Sequence, residues 1–180
     1  MKRKHYVDNT KLLESLVEYK EQVLKAQENN EQKPKIPEYV GECILLISEH
    51  LSYKPNFINY TFKDDMVGDA IENCLMYIDN FDPDKSKNPF AYLTQIIYYA
   101  FLRRIEKESK QSYIKCKLLE KMEVIGLDRQ DHDNKEYTNN YIGYMQENIG
   151  DIIKNFEQKE TNKKKKTTKH KELNLGAIFD

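Results

Sequence analysis

Apolar residues along the chain recur with a helical period, in runs separated by polar or proline-containing breaks. Thr10 reads as the cap of a first helix reaching about Ala26, with Leu12, Leu13, Leu16, Val17, Val23 and Leu24 on one stripe. Residues 27–35 are polar and are closed by Pro34 and Pro37, which marks a loop. A second helical pattern from Glu38 to Leu51 carries Val40, Cys43, Ile44, Ile47 and Leu51. Residues 53–60, with Pro55, break it. Thr61 and Asp64 then form a Thr-x-x-Asp start, related to the capping box. The next helix has a predicted core face of Val67, Ala70, Ile71, Cys74, Leu75 and Ile78, and an opposite face of Asp65, Asp69, Glu72 and Met76.

The loop DPDKSKN leads into the strongest pattern of the chain. Asn88 stands where an N-cap belongs and Pro89 at the first helical position, where a missing N–H costs nothing. Phe90, Leu93, Ile97, Ala100, Phe101 and Ile105 make an ordinary core stripe. The opposite side is not the charged surface a packing helix needs. It carries Tyr92, Ile96, Tyr99 and Arg103 in line, with Gln95 and Leu102 beside them. Aromatics with an arginine on such a face suit flat ligands, nucleic-acid bases above all. They equally suit packing on another helix of the same chain, and the acidic face suits plain solvation.

Beyond Ile105 the helix is expected to persist to about Leu119 or Val124. A polar stretch follows, then a short amphipathic piece from Tyr141 to Phe156. A lysine-rich linker spans residues 158–171 and includes four consecutive lysines, Lys163 to Lys166. The last residues, ELNLGAIFD, abruptly turn apolar with Leu173, Leu175, Ile178 and Phe179, too few to fold alone. With four helices, no strand pattern and no internal repeat, the expectation is an all-α fold: one compact helical domain over residues 1–108, a helical extension and weakly ordered segment over 109–157, the linker over 158–171, and an end peptide over 172–180, in an extended, largely disordered C-terminal tail.

Composition sharpens this. A chain of 180 residues with 39% hydrophobic and 33% charged residues fills one core, not two. There is no Trp, but 13 Tyr and 7 Phe supply aromatic surface. With 29 basic and 30 acidic residues the net charge is −1, so no global field draws the chain to DNA, and any such binding comes from local patches or from a partner. Cys43 and Cys74 fall inside apolar helical patterns and Cys116 makes the count odd, which fits buried thiols in a reducing compartment. The basic start Met1-Lys2-Arg3-Lys4 precedes polar residues rather than an apolar run, and no window has the length of a membrane span. The expected location is the cytoplasm.

Catalytic and cofactor chemistry finds no support. His5, His50, His132 and His170 are scattered without metal-ligand spacing. Asp82-x-Asp84-x-Ser86 opens like a calcium loop, but Lys87 stands where glycine is needed and Leu93 where glutamate is needed. Asp128, Asp131 and Asp133 also miss the spacing, and the 6 glycines build no phosphate loop. The expectation is a non-enzyme without cofactor or metal.

The stretch DDMVGDAIENCLMYIDNFDPDKSKNPFAYLTQIIYYAFLRRI resembles the second conserved region of bacterial sigma factors, which binds RNA polymerase and opens the promoter. Asp65-Met66-Val67, Asp69, Leu75 and Phe81-Asp82 fit the polymerase-binding helix of that family; Tyr92, Thr94, Ile97, Ala100, Arg103 and Ile105 fit the helix that melts and reads the −10 element. Gly68 stands where bacterial members have glutamine, and Gln95-Ile96 where they have paired tryptophans, so base capture by tryptophan does not carry over. The run KNPFAYLTQIIYYAFLRRIEKE is similar to the short late-transcription sigma factors of T-even-type bacteriophages, which lack the −35-reading region and end in an acidic-apolar peptide that binds the DNA sliding clamp. The likeness covers residues 10–108 and the last eight.

It implies a promoter-specificity subunit working on DNA inside the host cell. Asp65, Met66, Asp69, Glu72 and Met76 would dock on the clamp helices of the largest subunit of the bacterial core polymerase. Tyr92, Gln95, Ile96, Tyr99, Leu102, Arg103 and Arg104 would meet and melt −10 promoter DNA, and Leu173, Leu175, Ile178 and Phe179 would bind the phage sliding clamp. The resemblance leaves room for a co-activator and implies no membrane partner. A polymerase-bound adaptor that links the enzyme to the clamp without reading DNA stays open beside it.

Overall fold

The computed structural model describes residues 6–121, 143, 147–163 and 165. Its elements are α1 (Asn9–Glu28), α2 (Glu38–Ser52), α3 (Lys63–Tyr77) with a 3-10 turn over Ile78–Asn80, and α4 (Pro89–Lys121); residues 147–163 are helical as well. The described residues are all-α, with no strand. The chain divides into two units, Met1–Ile105 and Glu106–Asp180.

In the first unit, α1 is capped by Asp8 rather than by Thr10. The Asp8 carboxylate accepts the N–H groups of Thr10 at 3.0 Å and Lys11 at 3.2 Å, meeting two donors that a helix start leaves open and placing a negative charge at its positive end. Leu12, Leu16, Tyr19, Val23 and Ala26 are buried. Leu24, expected inside, is 52% exposed, because Tyr19 rather than an aliphatic residue sets the angle of the stripe. Past the helix end, Asn30 takes the left-handed conformation, φ 54°, which asparagine tolerates.

On α2 the core takes Val40, Cys43, Ile44 and Ile47 as expected, and also Ser48 and Ser52. Their hydroxyls donate back to the carbonyls of Ile44 and Glu49, both at 2.8 Å, which removes the penalty for burying them. Leu51 is only half-buried.

Helix α3 departs furthest from its sequence pattern. It starts at Lys63 with no side-chain cap from Phe62, so the Thr61 start is not used. Its buried row is Met66, Ala70 and Cys74, continued by Ile78; Val67 and Ile71 are half-buried and Leu75 is 42% exposed. The helix is turned by about one residue from the expected face, since the unbranched Met66 fills the core and the branched Leu75 does not.

The loop after the 3-10 turn folds on itself. The Asp82 carboxylate accepts the N–H of Asp84 at 3.1 Å and pairs with Lys85 at 3.0 Å, and that lysine holds its carboxyl below the usual range. Asn88 caps α4 as expected, accepting the N–H of Ala91 at 3.1 Å, and Pro89 follows fully buried. Asn9 of α1 contributes to the same turn by accepting the Phe90 N–H at 3.1 Å. Leu93, Ile97, Ala100 and Phe101 form the expected core stripe of α4, with the Phe57 ring edge-on to Phe101 at 5.1 Å.

In the second unit, Cys116, Ile149 and Ile153 are buried, with Tyr113 against them. Tyr113 stacks on Phe156 at 4.5 Å and its hydroxyl donates to Glu157 at 3.2 Å. Residues 158–163, expected as linker, are helical. Glu and Lys are good helix formers, and Lys163 pairs with both Glu160 and Glu106. The charge that argued for a solvated tether here stabilises a helix instead.

Candidate functional site

The residues singled out on α3 and α4 meet side by side, because these helices run antiparallel in register. Arg104, its side chain 16% exposed, spreads its guanidinium over two carboxylates, reaching Asp65 at 2.8 Å and Asp69 at 3.2 Å. A planar fork held by two acceptors has one orientation, which a lysine would not give. Next along, Arg103 donates to the Asn73 side-chain oxygen at 2.6 Å, and the Asn73 amide in turn donates to the Asp69 carbonyl at 2.6 Å. At the other end the Tyr92 hydroxyl donates to the Tyr77 carbonyl at 2.6 Å while its ring lies against Phe81 at 5.3 Å. Burial, with the Cys74 and Asp79 side chains nearby, raises the Tyr92 pKa and keeps its proton in place for that bond.

These bonds sort the predicted site into held and free residues. On α4, Tyr92, Arg103 and Arg104 are tied to α3 or the turn behind it, and Ile96 packs against the core. Gln95, Tyr99 and Leu102 are exposed. On α3, Glu72 and Met76 are exposed, while Asp65, exposed, and Asp69, half-buried, are both held by Arg104. Met66 is fully buried, so its expected place on a docking surface is corrected to the core, where it supports the face from behind. Leu173, Leu175, Ile178 and Phe179 lie outside the described residues, as do Asp128, Asp131 and Asp133.

Several surface residues were not anticipated. Leu75 and Tyr77 stand exposed with Met76 at the end of α3, so its free side is acidic at one end and apolar at the other. Gly68 lies between these ends, and a methyl group added there would meet nothing within 4 Å. Tyr98 stands edge-on to both Tyr99 and Phe57, at 5.9 and 5.7 Å. Tyr53, 62% exposed, holds the Lys63 ammonium 4.0 Å over its ring. The available signal was the density of tyrosine itself; only the fold shows which rings reach the surface.

Cys74 is pushed up to about 12 by burial, so it remains a neutral thiol and behaves as a small core residue. Among the described residues no group of three or more His, Cys, Asp and Glu is placed to hold a metal ion, and no helix is long and apolar enough to cross a membrane. No family model and no curated protein matches the chain.

Proposed function

We propose that the chain is a promoter-specificity subunit of the sigma kind. Its first unit is a region-2-like helical domain that binds bacterial core RNA polymerase and melts a −10-type late promoter element, and its C-terminal peptide takes activation from a DNA sliding clamp. The observation that carries the reading is the pairing of two unlike free surfaces on adjacent helices. One is acidic and then apolar, made of Glu72, Leu75 and Met76, with Asp65 at its edge paired to Arg104; the other holds Gln95, Tyr99 and Leu102. The first suits a basic-apolar partner helix and the second suits stacked bases.

The energetics are in proportion. Separating a base-pair step costs about 1–2 kcal/mol. An exposed aromatic returns about 1–3 kcal/mol for each base stacked on it. The near-neutral chain leaves the basic channel to the polymerase and contributes base contact. Tyr99 is the leading stacking residue and Tyr98 its neighbour. Arg103 and Arg104 reach phosphate or base edges only by giving up bonds to Asn73, Asp65 and Asp69.

Transcription from AT-rich −10 templates with purified core polymerase tests the reading: start-site-specific transcripts are expected only when the chain is present. Deleting residues 173–180 is expected to abolish the response to the sliding clamp and leave clamp-independent transcripts nearly unchanged.

One observation favours the adaptor reading, in which the chain links polymerase to clamp without reading DNA. Tyr92 is bonded to Tyr77 and packed on Phe81, as in a structural helix. Crosslinking of the chain to one promoter strand supports the sigma reading, and its absence with polymerase bound supports the adaptor.

A further inference from the structure

A further exposed surface lies on the connector between α2 and α3. Residues 53–63, YKPNFINYTFK, hold two lysines and no acid, in a chain with 30 acidic residues in 180, so this stretch attracts phosphate where the molecule as a whole does not. The nearest acids in sequence, Glu49 and Asp64, stand on the helices at either end. The connector is not slack. The Lys54 carbonyl accepts the N–H groups of Phe57 at 2.8 Å and Ile58 at 3.0 Å, and the Phe57 carbonyl accepts that of Tyr60 at 3.3 Å. Phe57, fully buried, anchors these turns: its ring stands edge-on to Phe101 in the core at 5.1 Å and to Tyr98 on α4 at 5.7 Å. Around that anchor Tyr53, Ile58 and Tyr60 are exposed. The Lys63 ammonium covers one face of the Tyr53 ring at 4.0 Å, and the exposure of Tyr53 leaves the other face open. Among the described residues neither Lys54 nor Lys63 pairs with a carboxylate.

We infer that this surface binds single-stranded DNA, continuing the exposed Tyr99 ring through Tyr98 and Phe57, whose rings meet edge to edge. It deepens the promoter-melting reading and rests on it. The two lysines call for an anion and the open rings for a flat partner, and a single strand supplies both in every nucleotide. Duplex DNA supplies the phosphates but keeps its bases stacked on one another, with no face to give to Tyr53. The hydrogen-bonded turns hold the rings in place beforehand, so little order is lost when a strand is bound.

Fluorescence anisotropy of the full chain at low salt tests it, with a labelled oligo-dT of about twelve nucleotides and with the same strand paired to oligo-dA. Saturable binding of the single strand is expected, at least about fivefold tighter than the duplex and weakened about fivefold or more in Tyr53→Ala, the lower end of what one stacked base contributes. Lys54→Gln and Lys63→Gln are each expected to flatten the slope of log affinity against log salt by about 0.7, the share of one phosphate on a single strand. None of these three residues is buried, so the variants keep the fold. Absence of saturable binding overturns the surface, and so does a duplex bound as tightly as the single strand or a Tyr53→Ala variant that binds like wild type. Tyr99→Ala separates the connector from the reading it rests on: a loss there with none in Tyr53→Ala keeps α4 as the base-contacting face and removes the connector. Binding lost in Tyr53→Ala, by a chain that gives no start-site-specific transcripts with polymerase, keeps the connector and removes the promoter reading.

Discussion

Helices α3 and α4 each carry a stripe that their own core does not need, and the protein treats the two stripes differently. On α3 most of it is left free: Glu72, Leu75 and Met76 face outward, Gly68 has open space before it, and only Asp65 and Asp69 are engaged, by Arg104. On α4 part of it is already used, with Tyr92 bonded to Tyr77 and Arg103 to Asn73, and Tyr99 is left as its exposed ring. An aromatic stripe on a helical wheel is therefore not one surface. Its inner edge holds the neighbouring helix in register, and its outer edge is available to a ligand.

The sharpest test of that division lies within α3, where two methionines point opposite ways. Met66→Ala is expected to cost about 2–5 kcal/mol of stability, as buried truncations do. Met76→Ala, at 59% exposure, is expected to change stability by less than about 0.5 kcal/mol. Urea unfolding of both variants reads the contrast, and equal costs would mean that the rotation of α3 is wrong.

Function on the free side comes next. Glu72→Lys combined with Met76→Ala is expected to weaken core-polymerase binding by more than about tenfold, or 1.4 kcal/mol, with folding intact. Reversing Asp65 and Asp69 would be a poorer probe, because both hold Arg104. Unchanged affinity in a binding titration would remove this side of α3 from the interface.

Smaller effects are expected where α4 is tied down. Tyr92→Phe removes one hydrogen bond to the Tyr77 carbonyl and is expected to cost about 1 kcal/mol by thermal or urea melts. A cost near zero would return the Tyr92 hydroxyl to the free surface. Smallest of all, Gly68→Ala is expected to raise stability by about 0.5–1 kcal/mol, since the helix gains and nothing clashes. A loss of polymerase affinity in that stabilised variant would show that a partner approaches α3 closely at this point.

The helical pattern, the α4 core stripe and the Asn88-Pro89 start were all legible in the sequence, because each depends on residues within a turn or two of one another. What stayed hidden depends on contacts made across the fold. The cap at Asp8 displaced Thr10 because either side chain can serve and only the chain's entry geometry chooses. Met66 and Leu75 exchanged roles because a wheel gives the width of an apolar face but not its centre. Tyr92 was drawn inward because the turn carrying Phe81 lies against its ring, which no spacing on α4 announces. The helix through residues 158–163 was missed because a lysine-rich run reads as a tether until its carboxylate partners, Glu160 and Glu106, are brought beside it.

The most direct test of the central claim is permanganate reactivity of thymines near the start site of an AT-rich −10 promoter, measured with core polymerase and the chain, wild type or Tyr99→Ala. Tyr99 is exposed and no bond to α3 holds it, so its truncation leaves polymerase docking intact while removing a stacking surface worth about 1–3 kcal/mol per base. The account predicts strong reactivity with wild type and a severalfold loss with Tyr99→Ala at equal polymerase occupancy. Equal reactivity for the two proteins, or none with wild type bound to polymerase, would contradict it.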